Sequence, residues 1–147
     1  MGPMTSRTQN DAAWYMLFAA WLISAVAVAG SLFFSSVMQL PPCLLCWYQR
    51  IAIFPLALIL LAGLFPFDRN VVRYALPLAA VGWLIAVYHN LIYVGLVPER
   101  IQPCSQGVSC AERNLALFGF VSIPLLSLLG LTAIIALLTA LNRRTAP

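Results

Sequence analysis

Long apolar blocks separated by short charged stretches dominate the pattern of this chain. A helix needs about 20 apolar residues to cross a hydrocarbon core of about 30 Å. The first uncharged block, 12–49, is too long for one crossing, and Pro41-Pro42 interrupts it. The charged stretches and the Pro41-Pro42 break divide the chain into four predicted transmembrane helices, near 14–37, 46–65, 74–96 and 117–141.

The four predicted helices leave no long hydrophilic stretch, repeat or linker between them. We therefore expect one domain over 14–141, an all-α integral membrane protein folded as a four-helix transmembrane bundle. The segment 1–13 precedes it, the tail 142–147 follows it, and loops near 38–45 and 97–116 join the helices at one end. Met1-Gly2-Pro3, in front of a second methionine, resembles a cloning remnant and is left out of the interpretation.

Composition supports a membrane protein and excludes several other classes. The chain of 147 residues is 63% hydrophobic and only 8% charged, whereas a soluble domain carries about a quarter charged residues. A soluble enzyme, a disordered tail and a nucleic-acid-binding module are therefore excluded. The net charge of +4 comes from arginines scattered between the apolar blocks, as expected for signals of membrane topology.

The distribution of arginine predicts how the chain is oriented in the membrane. An even number of spans puts both termini on one side, and that side carries five arginines against three on the other. The positive-inside rule then places the termini and the 67–73 loop in the cytoplasm. An alternative is cleavage of a signal peptide after Ala27-Val28-Ala29. We disfavour it, because the apolar run continues to Val37. The expected location is the bacterial cytoplasmic (inner) membrane.

Four cysteines form two pairs that the predicted topology brings to the outer face. Cys43 and Cys46 form a C-x-x-C motif at the start of the second helix, and Cys104 and Cys110 lie in the second outward loop. Cysteines on the outer face meet an oxidising space, where disulfides form and persist. This placement suits a transfer of electrons from one pair to the other.

The position of the first pair favours reactive sulfur. A helix N-terminus carries about half a positive charge, which stabilises a thiolate. Cys46 lies there, and Arg50 follows one turn later on the same face. We expect this cation to favour the Cys46 thiolate further. Cys43, expected to be the more exposed of the two, is then better placed to exchange with another protein thiol.

Less reactive roles are alternatives for these cysteines. A zinc site is disfavoured, because the second pair has a wide spacing and no histidine lies near it in the sequence. Haem attachment is excluded, since Trp47 stands where a histidine is required. Two structural disulfides in a non-enzymatic membrane protein are the main alternative. A transporter of reductant is a further one, although it would need cysteines within the bilayer.

His89 is the single histidine, and it falls in the outward half of the third predicted helix. Ionisable residues within membrane spans usually face the bundle and are functional candidates. Its neighbours Tyr88, Asn90 and Tyr93 equally suit a polar belt at the membrane interface. The sequence leaves both interpretations open.

Three motifs together resemble a known family. They are Pro42-Cys43-Leu44-Leu45-Cys46-Trp47-Tyr48-Gln49-Arg50, then Pro103-Cys104 with Cys110, and Phe118-Gly119-Phe120-Val121-Ser122-Ile123-Pro124. With four spans, they resemble the disulfide-bond-formation protein B (DsbB) family, and the short second loop resembles its BdbC-type branch. The resemblance covers both cysteine loops and all four spans.

The resemblance implies a quinone-dependent thiol:disulfide oxidoreductase. Such a protein reoxidises an exported thioredoxin-fold thiol oxidase, DsbA- or BdbD-like, and passes the electrons to ubiquinone or menaquinone. It implies redox-active disulfides Cys43–Cys46 and Cys104–Cys110, with the first pair nearer the quinone. Arg50 matches the family arginine that supports quinone binding, and His89 matches a quinone-linked histidine more loosely. No metal is expected.

The second pair is expected to receive the partner oxidase through Cys104. Pro103 restricts the backbone before Cys104 and favours an extended segment that a partner can approach. Cys110 lies closer to the start of the fourth helix and is therefore better placed to meet the first pair.

Overall fold

Four long helices and one pair of two-residue strands make up the described part of the chain. The computed structural model describes residues 3–39, 41–98, 101, 116–117 and 121–145. The elements are α1 Pro3–Ser36, α2 Leu44–Leu64, α3 Val71–Val94, β1 Ala116–Leu117, β2 Val121–Ser122 and α4 Ile123–Thr145. All four helices are long and apolar enough to cross a membrane, which confirms the predicted fold class.

The helices pack in a ring in which each contacts its neighbours, in the order α1, α2, α3, α4 and back to α1. At one end of the ring, Arg69 in the loop between α2 and α3 donates a hydrogen bond to Asn10 of α1. The beginning of α1 and the α2–α3 loop therefore lie at the same end, as in an up-and-down bundle. The start of α2, with its cysteines, lies at the opposite end.

Helix α1 begins well before the predicted span. It starts at Pro3 rather than near 14, and its apolar portion runs over Thr8–Ser36. No glycine or proline lies between Met4 and Ala29, so nothing in that stretch breaks a helix. An apolar pattern locates the part of a helix that lies in lipid, and not the residue at which the helix begins.

Helix α4 begins later than expected, at Ile123 rather than 117. Ala116 and Leu117 instead pair in antiparallel fashion with Ser122 and Val121. A helix continuing back to 117 would place Pro124 in its interior, where a proline removes a hydrogen bond and clashes with a carbonyl. Starting at Ile123 places Pro124 in the first turn, where proline is tolerated. The fourth helix therefore begins six residues after the predicted start of its span.

Helix α3 ends in a glycine cap. Gly95 adopts φ 84°, in the left-handed region, and its N–H donates to the carbonyl of Ile92. Leu96 donates to the carbonyl of Leu91, which completes the two-bond pattern common at helix C-termini. Glycine adopts this φ without steric cost, so the end of α3 has a direct cause in the sequence.

Candidate functional site

Cys43 and Cys46 meet at the start of α2. Pro41-Pro42 precede Cys43, which is the N-cap of the helix with extended backbone, φ −67° and ψ 166°. The first helical turn brings Cys46 back against it, so that the two Sγ atoms lie 2.7 Å apart. A disulfide bond measures about 2.05 Å. The two sulfurs are therefore placed to convert between dithiol and disulfide with little movement of the backbone.

The Cys43 sulfur caps the helix. Its Sγ accepts a hydrogen bond from the Cys46 backbone N–H at 3.3 Å, at the positive end of the helix dipole. The hydrogen bond from the Cys46 thiol, followed by interactions with His89, lowers the pKa of Cys43 to about 4, although burial acts in the opposite direction. From the sequence we expect the thiolate at Cys46. The structure favours Cys43, because the N-cap sulfur receives the free N–H group.

Cys43 is also the more buried of the two cysteines. It is 7% exposed and packs with Leu45 and Ile92, whereas Cys46 is half-buried. The expectation that Cys43 is more exposed is therefore wrong. Helix α3 covers the N-cap of α2, a contact that the spacing of residues within α2 could not indicate.

His89 of α3 faces the Cys43 sulfur. The side chain is 3% exposed, and its Nε2 lies 3.8 Å from Cys43 Sγ. A neutral histidine carries its proton on one ring nitrogen, and the contacts of the other nitrogen select which one. The structure therefore places His89 against the first cysteine pair. Its predicted contribution to quinone binding stays a prediction.

Gln49 completes this cluster, and the sequence analysis did not single it out. Its side-chain nitrogen Nε2 lies 3.3 Å from His89 Nδ1. Both ring nitrogens of His89 thus have a protein partner, one on the Cys43 side and one on the Gln49 side. Gln49 follows Cys46 by one helical turn, and this spacing is the signal that could have identified it.

Arg50 joins α2 to α1. Its Nε donates to Ser31 Oγ at 2.6 Å, and Nη2 donates to the Ser31 carbonyl at 2.7 Å. The guanidinium carbon also lies 5.4 Å from the centre of the Trp47 ring, within the range of a cation–π contact. Arg50 stands one turn after Cys46 as predicted, but Ser31 is a partner that the sequence analysis missed.

Three atoms that can bind a metal converge at the first pair. The thiol sulfurs of Cys43 and Cys46 and a ring nitrogen of His89 all lie within 4.8 Å of one another. The sequence argument against a metal rested partly on the lack of a nearby histidine. Helix α3 supplies that histidine, so this part of the argument does not hold in the folded chain.

The second cysteine pair lies outside the described residues. The predicted roles of Cys104 and Cys110, including contact of the partner with Cys104, therefore stay predictions. A surface cavity of about 380 Å³ lies at the opposite end of the bundle, lined by Ile59, Ala62, Gly63, Asp68, Val71 and Tyr74. It is remote from the cysteines and brings no reactive groups together.

Comparison with known proteins identifies several relatives. A "Probable disulfide formation protein" of Metapseudomonas resinovorans is 42% identical over 91% of this chain and 94% of its own length. A "Probable disulfide formation protein C 2" of Bacillus anthracis is 51% identical over 84% of this chain and 88% of its own. The "Disulfide bond formation protein C" of Bacillus subtilis (strain 168) is 40% identical over 86% of this chain and 91% of its own.

No solved structure matches the chain. A family comparison gives a match over residues 12–141 to the family described as "Disulfide bond formation protein DsbB". The match spans the four helices and the C-x-x-C motif at the start of α2, and it agrees with the relatives named above. This chain is a member of the DsbB family of disulfide bond formation proteins.

Proposed function

We propose that this protein is a quinone-dependent thiol:disulfide oxidoreductase of the bacterial inner membrane. It reoxidises an exported thioredoxin-fold thiol oxidase and thereby supports disulfide bond formation in exported proteins. Electrons pass from the partner to Cys104 and Cys110, then to Cys43 and Cys46, and finally to ubiquinone or menaquinone. Membership of a disulfide-forming, membrane-spanning family supports the general activity.

The observation that carries the proposal is the placement of the first cysteine pair. Two sulfurs lie 2.7 Å apart at the start of a membrane-spanning helix, and Cys46 is followed one turn later by Arg50. A thiolate is the species that attacks disulfides, and the Cys43 environment favours it. A structural disulfide needs neither a lowered thiol pKa nor a buried histidine beside it.

The chain has groups that fit a quinone head group at this end of α2. A quinone supplies a two-electron, two-proton acceptor dissolved in the lipid. Arg50 has five N–H donors; two bind Ser31, and no described residue accepts a hydrogen bond from the others. Trp47 is 53% exposed beside it and offers an aromatic face. We propose that Arg50 and Trp47 hold the head group near Cys46, and that His89 supports the reaction through Cys43.

The proposed transfers balance as two exchanges and one two-electron oxidation. The dithiol of the partner reduces the Cys104–Cys110 disulfide and becomes a disulfide itself. The resulting Cys104 and Cys110 thiols reduce the Cys43–Cys46 disulfide. The Cys43–Cys46 dithiol then loses two electrons and two protons to the quinone and returns to the disulfide. Each exchange requires a thiolate and an accessible sulfur.

Turnover of the reduced partner tests the proposal. The purified protein is mixed with an excess of a reduced DsbA-like oxidase and a soluble quinone, and both partner thiols and quinone absorbance are followed. We expect one quinone reduced for each partner disulfide formed. A non-enzymatic protein with structural disulfides would oxidise no partner beyond the background rate.

The orientation of the cysteine end toward the outside requires its own test. In a variant lacking all four cysteines, Met38→Cys and Asn70→Cys each introduce one exposed thiol at opposite ends of the bundle. A membrane-impermeant thiol reagent added to intact cells should label Met38→Cys and leave Asn70→Cys unlabelled until the cells are broken. The opposite pattern would reverse the proposed topology.

A further inference from the structure

We propose that the reduced Cys43–Cys46 pair and His89 form a binding site for a thiophilic divalent cation of the Zn²⁺ type, and that oxidation of the pair abolishes this site. The inference concerns binding and goes beyond the proposed electron transfer. It stands on the convergence of two sulfurs and one imidazole nitrogen from two helices within 4.8 Å of one another.

The distances in the cluster approach those of a zinc site. Zinc binds sulfur at about 2.3 Å and imidazole nitrogen at about 2.0–2.1 Å. Tetrahedral angles then separate a sulfur from a nitrogen ligand by about 3.6 Å, and two sulfurs by about 3.8 Å. Cys43 Sγ and His89 Nε2 are already 3.8 Å apart. The two sulfurs, 2.7 Å apart, must separate by about 1 Å, which a rotation of the Cys46 side chain provides.

The surroundings of the cluster suit a bound cation with two thiolates. One Zn²⁺ and two thiolates carry no net charge, which lowers the cost of burying them. The neighbouring cation Arg50 is directed toward Ser31 of α1 and the Trp47 ring. Cys46 is only half-buried, so a cation can reach the cluster from the Cys46 side. Three protein ligands leave the fourth position of a tetrahedral site to water.

Gln49 supplies the outer partner that a ligating histidine needs. Metal-bound histidines almost always donate the N–H of their other ring nitrogen to a nearby acceptor. The Gln49 amide nitrogen Nε2 lies 3.3 Å from His89 Nδ1, and a half-turn of the amide group brings its oxygen to that position. With its oxygen turned toward the ring, the amide accepts Nδ1–H and leaves the lone pair of Nε2 for the metal.

The redox state of the pair controls this site. The dithiol loses its two protons to solvent as the cation binds, and no electrons are transferred. In the disulfide, both sulfurs are bonded to each other and no thiolate remains to bind the cation. A bound cation would in turn hold the pair in its reduced form. The site would therefore bind metal only after the pair has received electrons.

Titration with Co²⁺, a spectroscopic substitute for Zn²⁺, tests the proposal. The protein is a purified Cys104→Ser/Cys110→Ser variant, so that Cys43 and Cys46 are its only thiols. We expect one Co²⁺ for each reduced protein, with a thiolate-to-cobalt absorption band that added Zn²⁺ abolishes. After oxidation to the disulfide the band should be absent. Equal binding by the oxidised and reduced forms would overturn the proposal, and this comparison requires no further substitution.

Two substitutions and a matched control assign the ligands. Removing partners in the outer shell of a metal site typically weakens binding about 10- to 100-fold. Gln49→Leu should therefore weaken Zn²⁺ binding within this range. His89→Ala should weaken it at least as much, because it removes a ligand. Asn90→Ala is the control, because Asn90 adjoins His89 but donates to the carbonyls of Ala86 and Pro124. It should bind Zn²⁺ as tightly as the parent. A folded His89→Ala protein with unchanged affinity would show that only the cysteines bind, and would contradict the site.

Discussion

The two ends of the bundle interior differ in chemistry. Around the middle and the α2–α3 loop end lies a large cluster of buried apolar side chains, including Leu17, Leu56, Leu60, Ile134 and Leu138. The buried Ser24 donates there to the Trp21 carbonyl of its own helix. At the other end, a small cluster holds Cys43, Leu45 and Ile92, with His89 buried against the Cys43 sulfur. The loop end stabilises the bundle by close packing of apolar side chains, whereas the cysteine end buries a sulfur and an imidazole ring.

This difference predicts that stability and chemistry separate along the bundle. Substitutions at the loop end should lower stability and leave the reaction of each folded molecule unchanged. Substitutions at the cysteine end should change the reaction more than the fold. The polar contacts at the cysteine end join different helices, so some of them contribute both to stability and to the reaction.

The largest expected effect is at the first cysteine pair. Cys43→Ser or Cys46→Ser removes one sulfur from a two-sulfur reaction, so quinone-linked oxidation of the partner should fall to the background rate. The exchange of sulfur for oxygen is small, and the helices should remain folded, as circular dichroism would show. Unchanged partner oxidation in quinone-containing membranes would reject the enzymatic role.

Arg50→Ala should reduce quinone turnover about 100-fold. A charge-assisted hydrogen bond contributes about 1.5–3 kcal/mol, and each 1.36 kcal/mol of barrier is a factor of ten in rate. Arg50→Lys should recover part of the rate, because it keeps the charge and loses the planar guanidinium. The assay is quinone reduction at saturating partner and varied quinone.

Ser31→Ala separates the two roles of Arg50. It removes the hydroxyl that receives Nε and leaves the charge in place, so it should reduce turnover much less than Arg50→Ala. Loss of Arg50 removes a charge whose placement in a membrane span is costly. The contacts with Ser31 show that it also removes a joint between α1 and α2. Equal losses of turnover in the two variants would mean that Arg50 acts only by holding α1 against α2.

Gly63→Ala should destabilise the loop end by about 1–3 kcal/mol, as expected for overpacking. A Cβ at Gly63 would lie 2.6 Å from Cγ1 of Val71, a branched and buried side chain at the start of α3. Gly30→Ala is the matched control, since a Cβ there meets nothing within 4 Å. Thermal unfolding in detergent should separate the two variants. A Gly63→Ala protein as stable as Gly30→Ala would show that the helices adjust freely at this end.

Asn90→Ala should have the smallest effect, about 0.6 kcal/mol of stability, the average for polar contacts between membrane helices. The Asn90 amide donates to the Pro124 carbonyl at 2.8 Å and so joins α3 to α4. Partner oxidation per folded molecule should not change. A large loss of turnover would extend the reactive region beyond His89 and Gln49.

The sequence predicts those features that depend on local spacing. Four apolar blocks predict four spans because lipid requires long apolar helices, and helical periodicity relates Cys46 to Arg50. The contacts of Cys43 with His89 and of Arg50 with Ser31 depend on how α3 and α1 are rotated about α2. That rotation is set by packing along the whole bundle, and no short motif encodes it. The late start of α4 has a local cause in Pro124, because proline is tolerated in the first turn of a helix.

The most direct test of the central claim is a single-turnover experiment on the purified protein with bound quinone. One equivalent of reduced partner oxidase is added, and quinone absorbance and the thiol state of Cys43 and Cys46 are followed together. The account predicts that one quinone is reduced for each partner oxidised in the wild type. In Cys43→Ser and Cys46→Ser proteins that still bind quinone, none should be reduced. Quinone reduction of normal size in either variant would contradict passage of the electrons through this pair.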